Sequence, residues 1–138
     1  MVEIKVTEEF SADADSVWRL LGDFGGIADW APGIESCRLE GEGVGAVRHL
    51  EMQGGIAMQE KLESHDDGAR SFSYSISGGP LPFQNYLATV SVNAEGAGCR
   101  VAWEARFDLP EGIPEDGVKT GVESAYSGTL KILKERLG

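Results

Sequence analysis

Residues 100–137 read RVAWEARFDL, PEGIP and EDGVKTGVESAYSGTLKILKERL, and a change of period inside this stretch decides the fold. Over Arg100–Leu109, Val101, Trp103, Ala105 and Phe107 alternate with Ala102, Glu104, Arg106 and Asp108. Period two marks a strand with one buried face. Pro110 and Pro114 close the β region, because proline has no N–H for a ladder. From Glu115 to Leu137 the spacing becomes helical. Val118, Val122, Ala125, Thr129, Ile132 and Leu133 form one stripe, which predicts a long C-terminal helix.

Working back toward the N-terminus, the pattern stays β as far as Ile34. Ile34–Glu40, Ala46–Met52, Met58–His65, Ser71–Ser77 and Phe83–Asn93 each read as a strand. The separators are Gly41-Glu42-Gly43, Gln53-Gly54-Gly55, Asp66-Asp67-Gly68, Gly78-Gly79-Pro80 and Glu95-Gly96-Ala97-Gly98. Short turns of this chemistry between successive strands predict an antiparallel meander. Val2-Glu3-Ile4-Lys5-Val6 adds a first strand by alternation. Between it and Ile34 the period is helical. Phe10–Asp23 carries Val17, Trp18, Leu20 and Leu21 on one side, with Ser11 or Asp13 able to cap. A second short helical turn is expected over Ile27–Trp30, stopped by Pro32.

The order is strand, two short helices, six strands, long helix. Helices collected on one side of an antiparallel sheet define an α+β fold. About seven twisted strands make a concave sheet too wide for one helix to fill, so a cavity between them is expected. The 138 residues suit one domain, spanning 1–138, and can build a core without staples.

Charge excludes several functions. With 12 Lys+Arg against 23 Asp+Glu the net charge is −11. Nucleic acid and anionic membranes both require a basic footprint. No apolar run approaches the ~20 residues of a spanning helix, so no membrane insertion is expected. The first ten residues lack the basic and apolar regions of a signal peptide, and the default location is cytoplasmic. The two cysteines, Cys37 and Cys99, have no CxxC spacing, so neither a zinc site nor a disulfide framework is indicated.

The order of elements, with Val17-Trp18-Arg19-Leu20-Leu21-Gly22-Asp23-Phe24, Trp30-Ala31-Pro32, Gly45-Ala46-Val47-Arg48, Glu60-Lys61-Leu62, Tyr74-Ser75-Ile76, Asn85-Tyr86 and Pro110-Glu111-Gly112, resembles the START/Bet v 1-like (SRPBCC) superfamily. Within it the chain looks like a member of the polyketide cyclase/dehydrase and lipid-transport family, distantly similar to the plant abscisic-acid receptors. The resemblance implies the helix-grip fold: a seven-stranded antiparallel sheet wrapped around a long C-terminal helix. In that order the strands of Cys37 and Cys99 flank the first strand on opposite sides, beyond the ~7 Å limit for a disulfide. Gly54-Gly55-Ile56-Ala57 falls at the receptors' mobile gate loop, and Gly78-Gly79-Pro80-Leu81-Pro82-Phe83 at their latch loop. Glu60 and Tyr86 match two polar pocket positions. The pocket lysine of the receptors falls near Ala31, their latch His-Arg pair becomes Leu81-Pro82, and a pocket glutamate becomes Trp103. These departures argue against the plant hormone and its phosphatase partner.

Alternation assigns the concave face. Leu50 and Met52 share a face with Arg48; Met58, Glu60, Leu62 and Ser64 share another, against the solvent set Gln59, Lys61, Glu63 and His65. Phe72, Tyr74 and Ile76 point one way, as do Tyr86, Ala88, Val90 and Val92. Glu60 either pairs with Arg48 or orients a polar group of a ligand. Tyr74, Tyr86 and Trp103 serve either as plain core or as a polar-tipped aromatic wall for a flat ligand. On the helix, Gly121, Ala125 and Gly128 form a small-residue stripe with Tyr126 and Thr129 beside it. Interior glycine costs a helix about 1 kcal/mol against alanine. The stripe predicts the close approach of Trp103, a ligand or a second chain.

His49 and His65 read as surface histidines, no nucleophile–base set assembles, and catalytic residues stay unknown. No metal or cofactor is implied. Arg48, Leu50, Met52, Glu60, Tyr74, Tyr86, Trp103, Ala125 and Thr129 form the candidate ligand-binding set. Gly54, Gly55, Ile56, Gly79, Pro80 and Leu81 form paired lids or simple hairpin turns. The expected function is binding of a small hydrophobic or aromatic molecule by a carrier or sensor, as monomer or weak homodimer. The alternative is a cyclase, aromatase or dehydratase using the same cavity.

Overall fold

The computed structural model describes residues 1–137. The elements are β1 (Val2–Phe10), α1 (Ala14–Leu21), a 3₁₀ segment (Phe24–Asp29), β2 (Ile34–Glu40), β3 (Val47–Met52), β4 (Ile56–Asp66), β5 (Ser71–Gly78), β6 (Gln84–Glu95), β7 (Gly98–Asp108) and α2 (Glu115–Leu137). The strands form one antiparallel sheet in the order β1-β7-β6-β5-β4-β3-β2. This is the helix-grip architecture.

The first helix is shorter than its sequence pattern suggests. Residues Val6–Phe10 stay in β1, because they continue the ladder with β7 as far as Phe10 opposite Cys99. The helix begins after Asp13, whose carboxylate accepts from Ser16 Oγ at 2.5 Å. Its apolar side buries Ala14, Val17, Trp18 and Leu21. Gly22 ends it beneath the Trp18 ring: a Cβ there would lie 2.8 Å from the indole. Trp18 reaches across to the β4–β5 turn, donating from Nε1 to Asp67 Oδ1 at 2.9 Å. The second helical turn starts three residues earlier than expected, at Phe24, and buries Phe24 and Ile27.

β1 and β2 lie at opposite edges, which corrects the expectation that β2 flanks β1. Four strands separate β2, with Cys37, from β7, with Cys99, and both thiols are free.

In α2 the buried residues are Tyr126, Leu130 and Leu133. Ile132, expected in the stripe, is 40% exposed. The packing line runs through Val118, Val122, Tyr126, Leu130, Leu133 and Leu137 instead, one step of three or four residues at a time. The C-terminal half of α2 packs on β1, where Lys134 Nζ donates to Glu8 Oε1 at 3.2 Å. Arg136 Nη1 donates to the Asp29 carbonyl at 3.2 Å and ties the helix end to the 3₁₀ segment.

Two bulges change what alternation predicts. Between Leu62 and Ser64 the β4–β5 register shifts by one residue. Past that point the faces of β4 exchange. Ser64 leaves the cavity face and is exposed, while His65 turns under Trp18 with ring centroids 5.3 Å apart. His65 is therefore half-buried against α1, with Nε2 2.9 Å from Asp67 Oδ1, rather than a free surface histidine. The second bulge lies between Gln84 and Leu87 of β6, where Asn85 has φ 54°. Asparagine tolerates that left-handed conformation better than most residues.

Candidate functional site

A cavity of about 320 Å³ lies between α2 and the concave face of the sheet. That is near the lower end of small-molecule sites, about 300–1,000 Å³. Its wall is mostly apolar. Leu50 and Met52 come from β3, Met58 from β4, Ile76 from β5 and Ile34 from β2. Ile27, Ala31 and Pro32 close it beside the 3₁₀ segment; Leu81 and Phe83 close it at the β5–β6 connection. Gly121, Val122, Ala125, Tyr126 and Thr129 form the helical side.

The sheet register builds a polar corner. β3 and β4 pair with Arg48 opposite Glu60. Arg48 Nε and Nη2 lie 2.8 and 2.6 Å from the same oxygen, Glu60 Oε1. Nη1 donates to the Phe24 carbonyl at 3.2 Å. The guanidinium carbon sits 4.0 Å from the Phe24 ring centroid and 5.0 Å from that of Tyr74. Arg48 is 3% exposed, and three of its five N–H groups are bonded to Glu60 and the Phe24 carbonyl. Burial pushes the Glu60 carboxyl above the ordinary glutamate range, against the opposing pull of the Arg48 charge and its hydrogen bonds.

Phenols complete the corner. Trp103 Nε1 donates to Tyr74 Oη at 3.2 Å. The hydroxyls of Tyr86 and Tyr126 are hydrogen-bonded to each other. Trp103 stacks face to face on Tyr126, with centroids 4.2 Å apart and planes 8° apart. Burial drives both Tyr74 and Tyr86 well above the usual phenol range, and the nearby Glu60 charge adds to this. They are neutral hydrogen-bonding groups at any physiological pH.

All nine candidate ligand-binding residues line this one cavity: Arg48, Leu50, Met52, Glu60, Tyr74, Tyr86, Trp103, Ala125 and Thr129. Thr129 Oγ1 donates to the Ala125 carbonyl at 2.8 Å, leaving its oxygen as an acceptor. Of the candidate lid residues only Leu81 is on the wall. Gly54 and Gly55 occupy the β3–β4 turn with φ 87° and 76°, and Ile56 beside them is 40% exposed. Gly79, with φ 128°, lies against β4, where a Cβ would come within 2.9 Å of Met58 Cβ. Pro80 is exposed.

Of the three partners expected for the small-residue stripe of α2 (Trp103, a ligand or a second chain), Trp103 does not approach it. A Cβ on Gly121 or Gly128 would meet nothing within 4 Å. Gly121 and Ala125 border the cavity, Gly128 does not, and Trp103 packs on Tyr126.

Sequence reasoning missed Phe83 as a wall residue. Strict alternation puts Phe83 opposite in sense to Tyr86. The β6 bulge brings both onto the cavity wall, with ring centroids 5.4 Å apart. Asn85 was the available signal. Ala31 and Pro32 carry no periodic signal at all, because they lie between elements.

Among the described residues no cluster of His, Cys, Asp or Glu has the arrangement of a metal site. No helix among them is long and apolar enough to cross a membrane.

The chain is similar to XoxI from Bacillus cereus, at 31% identity over 99% of this chain and 96% of that one, with a TM-score of 0.91. A protein of Bacillus thuringiensis matches at 32% identity over 99% and 98% of the two chains, with a TM-score of 0.90. The major latex-like protein 151 of Panax ginseng shares the fold at 18% identity, over 99% and 97%, with a TM-score of 0.85. The family described as polyketide cyclase / dehydrase and lipid transport matches residues 1–138. With the strand order, the long gripping helix and a match over its whole length, the chain belongs to that family, within the Bet v 1-like helix-grip fold.

Proposed function

We propose that this protein binds a small hydrophobic or aromatic molecule in the cavity between the sheet and α2, as a carrier or sensor. The observation that carries the reading is the cavity itself: about 320 Å³, apolar over most of its wall, with one polar corner. The cavity opens to solvent, and an apolar concave wall left to water gains free energy when an apolar molecule covers it. Glu60 and Tyr86 orient the polar end of the ligand, and the aromatic rings take its body. The turn at Gly54–Ile56 and the Gly79–Leu81 loop act as lids at the mouth, and the protein works in the cytoplasm.

Binding is favoured over catalysis by how the titratable groups are used. Arg48 and Glu60 form an ion pair, burial keeps the phenols protonated, and no imidazole or thiol is among the lining residues. General acid–base catalysis needs a group free to exchange its proton with substrate.

The test is native mass spectrometry of the purified protein, with extraction and identification of co-purified small molecules. A stoichiometric apolar molecule, lost when Ala125 is enlarged to Phe, is the expected result. Turnover of such a molecule by the isolated protein would move the reading to the enzyme class.

A further inference from the structure

We propose that the cavity selects a neutral, hydroxyl-bearing ligand and rejects carboxylates such as fatty or aromatic acids. The inference rests on the binding reading above and adds the chemical class.

The argument is a charge count. Among the residues lining the cavity only Arg48 and Glu60 carry a formal charge. A ligand carboxylate in a low-dielectric site needs a cation or several donors of its own. Arg48 does not supply one. Three of its N–H directions go to Glu60 and the Phe24 carbonyl, and rings of Phe24 and Tyr74 lie against its faces. Its charge is already balanced by Glu60.

Glu60 points to the complementary group. Both Arg48 contacts converge on Oε1. Oε2 takes no hydrogen bond from any described residue, although Glu60 is 7% exposed and lines the cavity. Oε2 is not sealed from solvent, so a molecule that displaces water from it must bring a donor of its own. A second carboxylate placed there would instead meet like charge.

The phenols supply the other half. The Tyr86–Tyr126 contact uses one hydroxyl hydrogen and leaves the other. Tyr74 accepts from Trp103 and passes its own hydrogen to Tyr86. The corner thus offers one charged acceptor and one neutral donor, which matches an alcohol or phenol that both donates and accepts. The remaining wall is apolar or aromatic and takes a hydrocarbon or ring body.

The experiment measures affinity by titration calorimetry at pH 7.5 for three probes of one skeleton: 2-naphthol, 2-methoxynaphthalene and 2-naphthoate. Expected is 2-naphthol at least tenfold tighter than the ether and at least a hundredfold tighter than the acid. In Glu60→Gln the gap between naphthol and naphthoate should narrow at least tenfold. Naphthoate binding as tightly as naphthol, or the ether as tightly as the alcohol, overturns the selectivity and leaves the binding reading standing. Failure of all three, repeated with decanol, decyl methyl ether and decanoate, overturns both. The wild-type series alone decides the proposal if Glu60→Gln does not fold.

Discussion

Arg48 and Glu60 sit directly opposite each other on β3 and β4, and the guanidinium grips a single carboxylate oxygen at 2.6 and 2.8 Å. Both residues are buried, on the wall of a cavity and beneath the 3₁₀ segment. One contact therefore joins three things: the pairing of two strands, the anchoring of Phe24 through its carbonyl, and the charge of the ligand site.

The pair is worth more as a pair than as two residues. Removing one partner of a buried ion pair leaves the other uncompensated, at about 3–5 kcal/mol. Arg48→Met and Glu60→Leu should each lose stability on that scale in urea denaturation. The double variant should recover to within about 1 kcal/mol of the wild type, since apolar replacements of buried pairs are often neutral. Additive losses in the double variant would mean the two side chains act independently.

Glu60 also gives stability a pH dependence with a definite sign. Burial raises its carboxyl in the folded chain, while Arg48 on β3 pulls the other way and Tyr74 and Tyr86 face it from β5 and β6. Unfolded, it titrates near ~4.3. Between that value and its raised folded value the folded chain binds more protons, so stability falls as pH rises. The advantage of wild type over Glu60→Gln should shrink as pH climbs through that window and then level off. Urea denaturation of both proteins from pH 4 to 8 measures it. An advantage that grows with pH would show that the Arg48 charge outweighs burial.

The two sides of α2 should separate binding from folding. Leu130 is fully buried, and Leu130→Ala should cost about 2–5 kcal/mol. Ala125 faces the cavity. Ala125→Phe should change stability by no more than about 0.5 kcal/mol, as at a site free of packing. It should weaken 2-naphthol binding at least tenfold by filling the space. Unchanged affinity in Ala125→Phe would place the ligand elsewhere.

Cys37 and Cys99 should differ in native reactivity while sharing one redox state. Cys99 is 2% exposed and Cys37 half-buried, and burial raises both thiols. A thiol reagent should label Cys37 first in the folded protein and both after denaturation without reductant. Finding neither thiol in the denatured, non-reduced chain would contradict the four-strand separation.

The sequence by itself determined the element order and the face of nearly every strand. Alternation depends only on neighbouring residues, so Leu50, Met52, Glu60, Tyr74 and Trp103 can be placed on the concave side without coordinates. The glycine-rich turns made the meander legible in the same local way. Tertiary structure decided what alternation cannot carry across a bulge. Ser64 and His65 exchanged faces and Phe83 joined Tyr86 on the wall because β4 and β6 each gain one residue against a neighbour. It also decided the helix face: Leu130 rather than Ile132 is buried, since β1 and the 3₁₀ segment fix the rotation of α2. The Arg48–Glu60 pair needed both levels. Residue type and face were local, but which oxygen is gripped and which is left toward the cavity follows from register and from the rings packed on the guanidinium. Those are long-range contacts, and no spacing along the chain encodes them.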